Sequence, residues 1–446
     1  MLTSQLKENI SESKFKNFEN KNLFLPALKN LYLFTVNHKT APVAVREKFA
    51  IPEYRLIESK RLLKNSKSLK SFVILSTCNR TEIYFTCDCS DKAQEEIFIF
   101  FSKHLSLEEK VVKEYHSLFN ADNVVKHLFR LSCGLESLIL GEKQILSQVK
   151  FAYSAAQSEK TLDKTLELLF QAALKTGKEV HQNTNLSKKS QSISSAAIDL
   201  ADKIAGPIKT KSVMVLGAGN MAKLALEHIL KIGGSKETVV LNKSPHRVIK
   251  FSEEYKIDRS FPFEDIYNVL NDVDILVCAA GAPHFIIFAE QFKQFRKNEN
   301  KELFIFDVSM PRNIDSEFGK LPNIKLYDID TLQTVYSKTI QSNNHDDLYQ
   351  VEEIISDGER LLYSQIKNQD LDLLIKDLKN KFENIRKDKL EKLSKDKITF
   401  TKEEVDYIAN NLINTMLHTP IKTLKDSNFL GSQEEKIRVI RDLFGL

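Results

Sequence analysis

Residues 212–230 read SVMVLGAGNMAKLALEHIL, and this stretch decides the fold of the middle of the chain. Val213-Met214-Val215-Leu216 is a short apolar run, the pattern of a buried strand. Gly217-Ala218-Gly219-Asn220-Met221-Ala222 follows at once, and a helical pattern then runs to Leu230. Gly217-x-Gly219-x-x-Ala222 fits the G-x-G-x-x-G/A fingerprint of a dinucleotide site. A preceding strand, a following helix and a βαβ-sized unit give the match its weight. Gly217 permits the tight turn, Gly219 lets the backbone approach a pyrophosphate, and Ala222 lets the helix pack close to the strand. The helix N-terminus adds amide donors for the phosphates. The alternative is an ordinary glycine turn. After the next strand, Thr238–Leu241, an NAD site usually carries an acid for the ribose 2′-OH. Here Asn242-Lys243-Ser244 stands instead, with Arg247 close behind. A lysine and a hydroxyl suit a 2′-phosphate, so NADPH is favoured over NADH; otherwise Lys243 and Arg247 are merely solvated.

Further strands are expected at Ile275–Cys278 and Leu303–Asp307. Strand–helix alternation of this kind gives a parallel sheet with helices on both faces. Upstream, Leu31–Val36, Phe72–Leu75 and the stretch around Ile83-Tyr84-Phe85 read as strands, and helices fill residues 92–205. With the helices on one side, that mixture suggests an α+β first domain. Downstream of about Asn343 the chain is helical and heavily charged, and Asp346–Lys397 holds no proline and one glycine. Leu371, Leu373, Leu374, Leu378, Phe382 and Ile385 recur at helical spacing. Such a stripe calls for a partner stripe, as in a dimer, or for a second surface of its own domain.

The expected fold is therefore multidomain, α+β and α/β. A polar extension covers 1–28, a first domain 29–187, a Rossmann-type nucleotide domain 188–340 and a helical domain 341–446. A length of 446 residues agrees with about three domains. Hydrophobic residues at 42% and charged residues at 28% exclude a disordered chain. A net charge of +5 is too small to diagnose bulk nucleic-acid binding, though it allows a local basic patch. No apolar run is long enough to span a membrane, and the first thirty residues lack the pattern of a signal or transit peptide. Five cysteines make no disulfide framework, so a reducing cytoplasm is the expected setting.

Cys78 sits in the polar turn Ser76-Thr77-Cys78-Asn79-Arg80, just past a strand. A nearby guanidinium and turn amides favour the nucleophilic thiolate. Spacing alone leaves an inert Cys78 equally open. Cys87, Cys89, Cys133 and Cys278 are expected to pack. No metal site is expected, because neither C-x-x-C nor H-x-x-x-H spacing occurs. His127 shares a helix face with Val124 and Leu131, the usual setting of a core histidine. Gln144 and Gln148 share one face and either bind a polar substrate or stay exposed. The basic segment Lys60–Lys67 is a candidate contact for nucleic-acid phosphates or a solvated helix face.

Five blocks in order carry a family resemblance. They are VNHKTAPV (36–43), LSTCNRTEIY (75–84), GLESLILGEKQIL (134–146), DVSMPR (307–312) and LHTP (417–420). The chain resembles the glutamyl-tRNA reductases of tetrapyrrole (porphyrin, haem) biosynthesis from about Leu31 to Leu424. The resemblance implies a catalytic α+β domain, an NADPH domain and a long spinal helix leading to a helical dimerisation domain in a homodimer. It also implies an NADP-dependent oxidoreductase. Cys78 would attack the ester of glutamate with tRNA(Glu), and NADPH would reduce the resulting thioester to glutamate-1-semialdehyde. The implied substrate pocket is Thr77, Cys78, Asn79, Arg80, Ser137, Glu142, Lys143, Gln144 and Gln148, with Arg80 on the substrate carboxylate. The resemblance moves His127 from the core to the site, where it would orient the ester or assist proton transfer. The implied cofactor contacts are Gly217, Ala218, Gly219, Asn220, Met221, Ala222, Asn242, Lys243 and Ser244. An aminomutase that takes the semialdehyde is a further implied partner.

Cys133, Glu136, Lys143, Asn220 and Lys243 depart from the family's commoner residues, and the stretch Lys178–Thr184 has fewer arginines. None of these removes a proposed catalytic group. Two other readings remain at this point. A small-molecule NADP dehydrogenase would leave Cys78 without a role. A non-catalytic tRNA-binding or regulatory homologue would have no need of Cys78, Arg80 and His127 together.

Overall fold

The computed structural model describes residues 28–137, 139–186, 192–255, 257, 259–340, 345–393, 401–425 and 433–445. The expected polar extension therefore lies outside the described residues, apart from Leu28. One compact unit covers Leu28–Glu359, and a second begins at Arg360.

The first sheet contains β1 (Leu31–Asn37), β2 (Leu69–Ser76), β3 (Arg80–Cys87) and β4 (Ser117–Asn120) in the order β2-β3-β1-β4. All its pairings are antiparallel. Its helices are α1 (Val43–Phe49), α2 (Glu53–Lys64), α3 (Ser90–His104), α4 (Glu109–Tyr115), α5 (Ala121–Ser132), α6 (Lys143–Ser158) and α7 (Lys164–Asn183). Side chains alternate between faces of a strand. Phe34, Val36, Ile74, Ile83 and Phe85 meet Phe49, Leu63, Ile97 and Phe101 from α1, α2 and α3. Glu82 and Tyr84 point the other way, to His127 of α5 and Phe170 of α7. Helices thus cover both faces, and the expectation of one covered side does not hold. Double coverage explains why every residue of β3 is buried. The strand β4 also interrupts the expected helical run; four residues, three half-exposed and one exposed, carry too short a pattern to read.

The second sheet has β5 (Ser212–Leu216), β6 (Glu237–Leu241), β7 (Arg259–Ser260), β8 (Ile275–Cys278), β9 (Leu303–Asp307) and β10 (Ile324–Asp328). Its order is β10-β9-β8-β5-β6-β7, with every pairing parallel. This is the doubly wound order, and its switch point falls between β5 and β8. The accompanying helices are α8 (Ile193–Ile204), α9 (Asn220–Lys231), α10 (Pro245–Tyr255), α11 (Ile266–Asp272), α12 (Ala289–Phe295) and α13 (Ile329–Ile340). Val213, Val215, Val277 and Phe306 pack on one face with α8, α9 and α13. Met214, Leu216, Leu276 and Ile305 pack on the other with α11 and α12. Two-sided burial is why these strands read as continuous apolar runs.

The remaining helices are α14 (His345–Leu393), α15 (Lys402–Lys425) and α16 (Gln433–Phe444). The expected stripe finds partners within the chain. Leu371, Leu374, Ile375 and Leu378 pack with Ile413, Leu417, Ile421, Ile437 and Ile440. The side chain of Leu373 lies outside the described residues. Ile385, Tyr407, Ile408 and Leu412 remain exposed. No helix among the described residues is long and apolar enough to cross a membrane.

Candidate active site

Cys78 occupies the turn of the β2–β3 hairpin, in which Ser76 faces Thr81. The Thr77 amide donates to the Arg80 carbonyl at 2.8 Å, and the Asn79 amide to Thr77 Oγ1 at 3.2 Å. Cys78 is half-buried as a residue and lines a cleft of about 650 Å3. Thr77, Pro52 and Tyr54 line the cleft on one side, and Gly281, Pro283 and Met310 on the other. The latter come from loops that follow β8 and β9, at the carboxyl edge of the parallel sheet. A buried carboxylate organises that edge. Asp307 accepts the amides of Ser309, Asn313 and Ile314 at 2.9–3.0 Å, and Asn313 Nδ2 in turn holds the carbonyls of Ala282 and His284.

The electrostatics around Cys78 differ from expectation. Burial pushes the thiol up to about 12, the Glu142 charge adds to this, and Arg46 and Arg80 oppose it. Desolvation of the anion outweighs the two guanidinium groups, so the resting group is the thiol. Glu142 is itself pushed up to about 7 by burial, against the pull of Arg80. Arg80 is also differently employed. It is buried, with Nη1 2.9 Å from Glu82 Oε1 and Nη2 bonded to the Glu136 carbonyl. Its fork already has protein acceptors, so a substrate carboxylate must exchange with one of them.

Glu82 is the residue that sequence reading missed. Its Oε1 receives Thr35 Oγ1 at 3.2 Å, Arg80 Nη1 at 2.9 Å and His127 Nε2 at 2.9 Å. Its Oε2 receives the Tyr84 hydroxyl at 2.6 Å. Burial alone would raise this carboxyl, but the charges of His127 and Arg80 and the bonds from His127 and Tyr84 hold it well below the usual range. His127 is therefore neither a plain core histidine nor free; its ring is bound to Glu82. The only signal in the sequence is an acid within the strand run Arg80–Cys87.

Among the described residues, Asn79 Oδ1, Ser137 Oγ and Gln144 Nε2 are buried without a hydrogen-bond partner. Buried polar atoms are normally satisfied, so these three are suited to a polar ligand. Gln144 and Gln148 line a second cavity, of about 410 Å3, together with Asn220 and Met221 of the glycine loop. Ser76 lines both cavities. The side chain of Lys143 lies outside the described residues. Lys60 and Lys64 donate to the carbonyls of Ala155 and Glu159, so they tie α2 to the end of α6. Cys87, Cys133 and Cys278 are buried as expected, whereas Cys89 is exposed at the start of α3 and does not pack.

The nucleotide side matches its fingerprint. Gly217 has φ +120°, and a Cβ there would lie 2.5 Å from the Ala279 carbonyl oxygen. A Cβ on Gly219 would meet nothing within 4 Å, which leaves open space at the start of α9. Ala222 is fully buried beneath the sheet. Ala218 is half-buried in the loop itself. A third cavity, of about 400 Å3, is lined by Asn242, Lys243, Ser244 and Arg247 and reaches Gly281, which it shares with the Cys78 cleft.

Three family models match the chain in order. Residues 34–184 match the glutamyl-tRNAGlu reductase N-terminal domain, and 350–446 match the dimerisation domain of the same enzyme. A curated glutamyl-tRNA reductase of Carboxydothermus hydrogenoformans is 36% identical over 420 residues, which is 93% of each chain. The chain belongs to the glutamyl-tRNA reductase family. A relative from Thermodesulfovibrio yellowstonii is 32% identical over 94% of this chain and 99% of its own. The solved glutamyl-tRNA reductase of Methanopyrus kandleri shares the fold, with a TM-score of 0.51 and 24% identity over 94% of this chain and 99% of that one. Residues 199–335 match the shikimate/quinate 5-dehydrogenase model, so the parallel-sheet part is a nicotinamide-cofactor domain.

Gly217→Ala tests that part directly. The strained φ alone costs about 1–3 kcal/mol, before the contact with Ala279. Denaturant unfolding is expected to show that loss, and cofactor titration at least a tenfold weaker affinity. A variant that binds cofactor normally would contradict the placement of the glycine loop.

Proposed function

We propose that the chain converts glutamyl-tRNA(Glu) and NADPH to glutamate-1-semialdehyde, free tRNA and NADP+, the first step of tetrapyrrole biosynthesis, through a thioester on Cys78. One observation carries this reading: Cys78 lines the cleft that the carboxyl edge of the parallel sheet also lines. Nucleophile and cofactor domain thus serve one space.

Cys78 is protonated at rest, so its proton must leave as the sulfur attacks the ester carbonyl carbon. A C–S bond forms, the bond from carbonyl carbon to the tRNA 3′ oxygen breaks, and that oxygen takes up a proton. Glu142, titrating near neutrality and acting on Cys78 through its charge, is the proposed acceptor of the thiol proton. Thr77, Asn79, Ser137, Lys143, Gln144 and Gln148 are the proposed substrate contacts. Arg80 binds the substrate carboxylate by exchange with its Glu136 contact, and His127 keeps Glu82 charged beside it. When bound, NADPH supplies the hydride that reduces the thioester carbonyl. Cys78 then departs as thiolate and regains its proton.

Gly217, Ala218, Gly219, Asn220, Met221 and Ala222 would hold the pyrophosphate, and Asn242, Lys243 and Ser244 the 2′-phosphate. A charge-assisted contact contributes about 1.5–3 kcal/mol. Lys243→Gln is therefore expected to weaken NADPH binding roughly tenfold and leave NADH within about twofold. Equal weakening of both cofactors would remove Lys243 from the 2′-phosphate site.

The proposed working parts are 29–187 for catalysis, 188–340 for NADPH and 341–446 for homodimer formation. An aminomutase consuming the semialdehyde is the proposed partner. Five free thiols suit a reducing cytoplasm. The test is purified protein with charged tRNA and NADPH, assayed for semialdehyde. Free glutamate should give none; absence of product from charged tRNA would reject the function.

A further inference from the structure

Helix α1 carries two adjacent residues of opposite charge, Arg46 and Glu47, and each is bonded to its opposite on the parallel-sheet part. Arg46, 3% exposed, donates Nη2 to Asp330 Oδ1 at 2.8 Å and Nη1 to the Ala41 carbonyl at 2.9 Å. The other Asp330 oxygen accepts the Val43 amide at 2.8 Å. Glu47 receives Arg312 three times, from Nη2 at 2.8 Å, Nε at 3.1 Å and the backbone amide at 3.3 Å. Both side chains of that second pair are 18% exposed.

These contacts flank the cleft. Arg312 follows Met310 and Pro311, which line it, on the loop pinned by Asp307. Ala50, Ile51 and Pro52, just past α1, line it on the Cys78 side. The two pairs have opposite polarity. A slid arrangement would oppose Arg46 to Arg312 and Glu47 to Asp330, so the register is specified by repulsion as well as attraction.

We propose that Arg46–Asp330 and Glu47–Arg312 form a reciprocal latch that sets how the carboxyl edge of the parallel sheet stands over Cys78. The four are positioning residues for the reduction step, and Glu47 and Arg312 take no part in thioester formation. This rests on the thioester reading of Cys78. Arg46 also acts on the Cys78 charge, so the discriminating variants are in the other pair.

The test uses full-length E47Q, R312Q, the double variant and the swap E47R/R312E. Three quantities are read: NADPH-free transfer of glutamate to Cys78, single-turnover reduction of the preformed thioester, and hydrogen exchange of α1 and residues 308–314. Transfer should stay within about twofold and reduction should fall roughly tenfold or more, because small displacements of reacting groups are costly. The double variant should be no worse than the worse single, the mark of direct coupling. Exchange should quicken in the single variants, and the swap should restore both exchange and part of the reduction rate. Equal loss of both half-reactions, additive losses, or unchanged reduction would overturn the latch. Should R312Q not accumulate, E47Q and the swap still decide it. If wild type shows no NADPH-free transfer, the reading of Cys78 fails, while the exchange comparison still judges the latch.

Discussion

Cys78→Ala is expected to abolish both the NADPH-free release of tRNA and the formation of semialdehyde, by about 10,000-fold or more. Among the described residues lining the cleft, Cys78 is the one thiol, and the other side chains with a reactive atom are the hydroxyls of Thr77, Ser76 and Tyr54. A hydroxyl in that position would meet the same desolvation that pushes the thiol up to about 12, with a weaker acid to begin with. Cys78 is only partly buried, so loss of one sulfur should cost below about 1 kcal/mol in stability. Binding of charged tRNA should remain within about threefold. Turnover above one hundredth of wild type would contradict a nucleophilic role.

Glu82→Gln should produce the largest loss of stability. The substitution keeps the shape and removes the charge that Arg80 and His127 both face. Breaking a buried pair by removing one partner leaves an uncompensated ion, at about 3–5 kcal/mol. The pH dependence follows from the direction of the shift. The folded carboxyl is held below its unfolded value, which is about 4.3. Its contribution is therefore fully present above that value and is lost as pH falls through the folded one. Wild type and Glu82→Gln should differ most at pH 7 and converge on acidification. Denaturant unfolding of the full chain from pH 7 down to about pH 2 measures this. A difference below 1 kcal/mol at pH 7 would show that Glu82 is not the hub.

The nucleotide half was legible because its signal is local. Gly217, Gly219 and Ala222 lie within six residues, and the apolar strands around them record burial on both faces. Cys78 was legible as a turn residue, but its ionisation was not, since the desolvation comes from helices and loops distant in sequence. Glu82 looked like an ordinary polar position of a strand. Its burial depends on α5, which begins 39 residues later and brings His127 to it. Arg80 was assigned to substrate because its internal acceptors were invisible for the same reason. The strands β4, β7 and β10 are short or lie at a sheet edge, where the apolar pattern fades. The latch was beyond reach, with partners 284 and 265 residues apart.

The thioester is tested most directly by trapping it. Purified protein is mixed with glutamyl-tRNA labelled in the glutamate, without NADPH, then quenched in acid and digested. The expected label sits on the peptide containing Cys78, is released by hydroxylamine, and leaves as semialdehyde when NADPH is added before the quench. Semialdehyde formed at the normal rate by protein that never carries label on Cys78 would contradict the covalent route.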